Sequence, residues 1–176
     1  GAPARRTETE ILGDPGVRIA GLTMDIAQVV MVMLMVITSL HMSHHHHALS
    51  SIAAVMSSHV FGMYAFSVVS GRFADRWGRG PLIGVGALVL VVSCLTATLS
   101  TEVAPLAFAL FLLGLGWNFC YVGGSTLLSD RLSQAERARI QSVNDFVLTT
   151  LAGTGSALSG LVFSSLGYAM MGYLSA

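Results

Sequence analysis

Seven of the polar side chains inside apolar stretches of this chain are candidates for chemistry: Asp25, Gln28, His59, Asn118, Tyr121, Asn144 and Asp145. An ionisable group in hydrocarbon costs roughly 2.5–3.5 kcal/mol on insertion scales, so such groups face a cavity or a partner. The chemistry open to them is proton exchange and reversible binding. Neutral imidazole titrates near ~6.5, so His59 is a candidate carrier of a proton. The other reading makes it a neutral imidazole bonded to a nearby Ser or Tyr. A second group is the run from His41 to His47, in which His41, His44 and His45 share helical spacing. Imidazoles in that pattern suit Zn, Ni or Cu; the other reading is a polar helix end in water.

Spanning helices must position these groups. A crossing needs about 20 mostly apolar residues, and five stretches qualify, at about 19–41, 50–71, 81–99, 103–128 and 140–163; a sixth, 167–176, is cut short. Asp14-Pro15 favours a helix start before the first. Pro81 and Pro105 suit first-turn positions, where the missing N–H is harmless. Ser133 to Glu136 fits a capping box that starts a helix ahead of the fifth. At a step of about 100° per residue, Asp25, Gln28 and Ser39 share one face. So do His59, Gly62, Phe66 and Ser70; Asn118, Gly114, Tyr121 and Ser125; and Asp145, Ala152, Ser156 and Ser159. The Ser and Gly positions read as helix-packing residues, as do Gly153, Gly155 and Gly160 on the fifth span. Asp145 has a further reading, as a partner of Arg76 or Arg79.

Composition agrees. The chain is 53% hydrophobic and only 10% charged, against about 25% charged in soluble domains. All nine cations are arginine: Arg5, Arg6, Arg18, Arg72, Arg76, Arg79, Arg131, Arg137 and Arg139. They fall before the first span and in alternate breaks after it. The breaks near 42–49, 100–102 and 164–167 carry none. Cytoplasmic loops retain Arg and Lys, so the pattern predicts an all-α polytopic bundle with a cytoplasmic N-terminus. Residues 1–18 read as a cytoplasmic linker and 19–176 as the bundle. Zero formal net charge implies no nucleic-acid partner. Cys94 and Cys120 read as small apolar packing residues. The absence of an initiating Met and the apolar C-terminus read as a piece of something longer.

The second break, Gly71-Arg-Phe-Ala-Asp75-Arg76-Trp-Gly78-Arg79-Gly80, resembles the signature of the major facilitator superfamily, with Phe73 and Gly80 departing from it. The polar leader Thr7 to Ala20 resembles a central linker. The stretches 117–124, 129–131 and 135–139 resemble tenth and eleventh helices of bacterial members. The resemblance implies the C-terminal half of a twelve-helix transporter, helices seven to twelve with the last truncated. Its N-terminal half would supply six more helices, and a small-molecule substrate would bind between the halves by alternating access. It implies protons as the coupling ion, drug or metabolite efflux as one direction of use, no enzyme activity and no cofactor. It also implies a bacterial inner membrane and a gating latch built from Gly71, Asp75, Arg76, Gly78 and Arg79. Gly71 and Gly78 would allow tight packing, and Asp75 would accept hydrogen bonds at a helix N-terminus. The alternative function is a metal-handling membrane protein using His41–His47.

Overall fold

Asp14 starts the first long helix. Its carboxylate accepts hydrogen bonds from the backbone N–H of Gly16 (2.7 Å) and Val17 (3.4 Å), two donors that a helix start leaves unpaired. Pro15 then fixes the first turn. The computed structural model describes the backbone of residues 7–174, and side-chain surroundings up to 157 apart from residues 8 and 155. It is all-helical over that range. The elements are α1 (Glu8–Leu12), α2 (Pro15–His44), α3 (Leu49–Tyr64), α4 (Ser67–Trp77), α5 (Arg79–Ala97), α6 (Val103–Arg131) and α7 (Gln134–Leu174). Four helical stretches among the described residues are long and apolar enough to cross a membrane: α2, α3 with α4, α5 and α6.

The helices outrun the apolar stretches at both ends. At about 1.5 Å rise per residue, the 30 residues of α2 exceed the hydrocarbon thickness of about 30 Å. The surplus carries the polar ends. α7 is one continuous helix through the break expected at 164–167; no glycine or proline cluster there forces a turn. Arg5, Arg6, and the packing of Gly155, Ser159, Gly160 and the stretch 167–176 lie outside the described side chains.

α6 is the most enclosed helix and the hub of the bundle. Glycines let it approach its neighbours at backbone distance. A Cβ on Gly114 would overlap the carbonyl oxygen of His59 and come within 2.8 Å of Met63 N; one on Gly62 would overlap the carbonyl oxygen of Phe111. On another face, a Cβ on Gly116 would come within 2.9 Å of Leu90, and one on Gly86 within 2.8 Å of Cys120 Sγ. Small residues of this kind drive helix association in lipid, where helices gain no hydrophobic advantage from meeting. Leu106, Leu110 and Leu113 of α6 fill the rest of the core with Val55, Met42 and Ala27. The outward faces remain apolar: Leu22, Ile26, Leu88, Val91, Leu95 and Phe108 are all exposed. That belt suits acyl chains.

Sequence reading made the second span one helix. The structure interrupts it at Ala65–Phe66, between α3 and α4. Asn118 of α6 bridges the interruption. Its Nδ2 donates to the Met63 carbonyl (2.7 Å) and to Ser67 Oγ (3.0 Å), and its Oδ1 accepts from Ser70 Oγ. Interhelical hydrogen bonds in membrane proteins contribute about 0.6–2 kcal/mol each. Asn118→Leu removes the bridge and should lower the thermal midpoint of the detergent-solubilised protein by several degrees. An unchanged midpoint would show that the bridge carries no stability.

The polar breaks gather at two ends. At one, Arg131 lies 3.5 Å from Asp14 and Arg79 lies 2.8 Å from Asp130, joining the ends of α2, α5 and α6. At the other, the His47 ring approaches the Thr101 carbonyl at 3.0 Å. The described arginines sit at the first end, as their sorting in the sequence predicts.

Candidate functional site

The seven candidates fall in three places. His59 and Asn118 lie in the seam between α3, α4 and α6. His59 is 1% exposed, its Nδ1 is 3.2 Å from the Leu110 carbonyl, and its Nε2 has no partner. Among the described residues, α6 covers the stripe of His59, and α3 and α4 cover that of Asn118. His59 bonds a backbone carbonyl rather than the Ser or Tyr expected.

Gln28, Tyr121 and Asp145 come together where α2, α6 and α7 meet, and sequence reading missed their fourth member, Trp117. The Trp117 indole N–H donates to Gln28 Oε1 at 2.9 Å. Trp117 and Tyr121, one turn apart on α6, stack with ring centroids 4.8 Å apart and planes 14° from parallel. Asp145 is exposed and faces a recess of about 320 Å³ lined by Gln28, Trp117, Tyr121, Leu148 and Thr149. A half-buried indole must find a hydrogen-bond acceptor, and the spacing of Trp117 to Tyr121 is the signal that marks it. The recess pairs a flat aromatic wall with a carboxylate. Such a surface holds a planar or cationic apolar molecule by stacking and charge.

Asp25 of α2 and Asn144 of α7 form the third place, a separate cavity of about 380 Å³ nearer the arginine end.

The motif after the second span divides across α4 and α5. Gly78 has φ of 92°, a left-handed conformation that favours glycine, and it makes the turn between them. A Cβ on Gly71 would meet nothing within 4 Å, so the tight packing expected there is absent from this chain. Asp75 lies in the last turn of α4, not at a helix N-terminus, with Arg79 3.7 Å away. Arg76 is exposed. Arg79 is the cross-link: it donates to the Ala74 carbonyl (2.9 Å) and pairs with Asp130 of α6. Its partner is therefore Asp130 and not Asp145.

In the histidine run, the rings of His41 and His45 lie edge to face with centroids 4.5 Å apart, and those of His44 and His45 6.0 Å apart. His47 turns away to Thr101. Among the described residues, no group of three or more His, Cys, Asp or Glu is arranged to hold a metal ion.

A family model described as the Major Facilitator Superfamily matches residues 20–176. The chain belongs to this superfamily. It is 36% identical over 155 residues to an uncharacterised MFS-type transporter of Bacillus subtilis, YdeG, covering 87% of this chain and 36% of that protein. It is 28% identical to the riboflavin transporter RfnT of Brucella anthropi, covering 74% of this chain and 33% of the relative. It is 30% identical to the multidrug resistance protein MdtL of Klebsiella pneumoniae, covering 66% and 31%. The chain thus spans about a third of the length of the curated relatives it matches. No solved structure gives a significant match. Membership in the superfamily and the four apolar helices make this an integral membrane protein of a transporter family.

Proposed function

We propose that this chain is the C-terminal half of a bacterial inner-membrane secondary transporter, with α2 to α7 standing as helices seven onward. An N-terminal half completes it, and a small apolar or amphipathic molecule crosses by alternating access. The arginine end faces the cytoplasm, in keeping with retention of Arg in cytoplasmic loops. Protons supply the coupling gradient. The observation that carries this reading is the recess of Gln28, Trp117, Tyr121 and Asp145. It joins an aromatic wall to an exposed carboxylate where three helices meet. The bacterial relative named for riboflavin transport supports an aromatic substrate class.

Arg79 and Asp130 act as the cytoplasmic latch, closed in the conformation described and broken when that end opens. The pair is partly exposed, 27% for Arg79 and 48% for Asp130. Partly exposed pairs contribute about 0.2–1 kcal/mol, at most about fivefold in a conformational ratio. The latch therefore biases transport without being required for it.

The test uses the complete transporter in proteoliposomes, with riboflavin and the cation ethidium as probes. Flux of at least one should follow an imposed proton gradient. Arg79→Gln should change that flux two- to fivefold while membrane insertion stays normal. Flux of neither probe, or flux indifferent to the gradient, would remove the coupled-transport reading. An unaltered rate in Arg79→Gln would remove the latch.

A further inference from the structure

The cavity between α2 and α7 contains two polar groups that the protein leaves unsatisfied. Asn144 is 8% exposed, and its Nδ2 has no hydrogen-bond partner. Asp25, across the cavity on α2, has a sealed carboxylate oxygen, Oδ1, that accepts no hydrogen bond. Buried polar groups are normally paired, so each exception calls for an explanation. The two residues line one space of about 380 Å³, and their spare donor and spare acceptor, each sealed from it in the conformation described, are complementary. The remaining wall is mainly apolar, including Val17, Leu22, Val143 and Val147. A half-turn of the Asn144 amide, which nothing opposes through an Nδ2 bond, presents its N–H to the space.

The charges around the cavity narrow the ligand. Asp25 disfavours an anionic head. Arg18, two turns earlier on the same face of α2 and lining the same cavity, disfavours a cationic one. A neutral head that both donates and accepts satisfies both groups. We propose that the Asp25–Asn144 cavity is a binding site for neutral amphipathic carboxamides, whose N–H meets Asp25 and whose carbonyl meets Asn144. It is distinct from the recess at Asp145: the two share no lining residue, and adjacent side chains on a helix diverge by about 100°. The proposal rests on the transport reading only for the completed protein in which it is tested; binding itself needs no gradient.

The experiment is equilibrium binding of labelled 4-phenylbutyramide to the complete transporter in nanodiscs. Methyl 4-phenylbutyrate, which lacks the donor, should compete at least tenfold more weakly. Asn144→Leu should weaken binding about tenfold, consistent with leaving one buried polar partner unmatched. A second variant tests the volume without disturbing the fold. A Cβ on Gly21 meets only Asn144 Oδ1, at 3.8 Å, and Gly21 lines the cavity, so the side chain of Gly21→Val extends from an open position into the space. It should abolish binding with an unaltered thermal midpoint. Gly84→Ala on α5, where a Cβ meets nothing within 4 Å, should bind the probe as the wild type does. Equal competition by the ester, or unchanged binding in Gly21→Val, would each overturn the assignment. Absence of saturable binding to the wild type would overturn it outright.

Discussion

Gly114→Val should leave almost no folded protein in the membrane. Its Cβ would occupy the space of the His59 carbonyl oxygen and come within 2.8 Å of Met63 N. Both neighbours are backbone atoms, so no side chain can swing aside. α3 must move away from α6, and several hydrogen bonds follow the same seam. Ser58 Oγ donates to the Ala107 carbonyl (2.8 Å), His59 Nδ1 faces the Leu110 carbonyl, and Asn118 Nδ2 donates to the Met63 carbonyl. Overpacking alone destabilises by about 1–3 kcal/mol, and each lost interhelical bond adds about 0.6–2 kcal/mol. The total, about 3–9 kcal/mol by these same figures, rivals the net stability of a domain. Yield of monodisperse detergent-solubilised protein reports it. Gly84→Ala is the matched control, since a Cβ there meets nothing within 4 Å; it should be silent. A normal yield of Gly114→Val would mean that the seam is looser than the structure describes.

Asp145→Asn should lower transport of a cationic aromatic probe at least tenfold, expressed chiefly in KM. Asparagine keeps the shape of the side chain and removes the charge. A hydrogen-bonded charge contributes about 1.5–3 kcal/mol, and tenfold corresponds to about 1.4 kcal/mol. The stack of Trp117 and Tyr121 remains, so residual binding survives through aromatic contact, about 0.5–2 kcal/mol for a cation over a ring. A neutral aromatic probe should lose less than the cation. Initial rates of ethidium and riboflavin flux over a range of concentrations separate the two. Equal KM values for wild type and variant would remove Asp145 from the substrate path.

Much of the architecture was legible because charge and hydropathy act along the chain. Arg18, Arg79 and Arg131 lie in different breaks, yet the membrane sorts them to one end, and α2, α5 and α6 meet there accordingly. The lengths of the apolar stretches and the sorting of arginines between them sufficed to predict the all-helical bundle. The sites were legible only in part. A helical stripe shows which residues share a face, but not what covers it. Asn118 and Tyr121 share a stripe and part company, because Asn118 turns into the seam with α4 while Tyr121 turns towards α7. The Arg79–Asp130 pair joins residues 51 positions apart, a distance over which no local pattern operates. The interruption at Ala65–Phe66 also went unread, since no proline or glycine marks it; it is sustained by Asn118 from another helix.

That interruption divides one crossing into two mechanical parts. α3 is welded to α6 by the contact of Gly62 with Gly114, whereas α4 hangs below the joint by side-chain hydrogen bonds. α4 is an 11-residue lever, about 16 Å long at the usual helical rise, and its far end carries Asp75, Arg76 and Trp77. A lesion above the joint meets fixed backbone at Gly62 and Gly114 and should prevent assembly, whereas one below it meets side chains that can rearrange and should be tolerated.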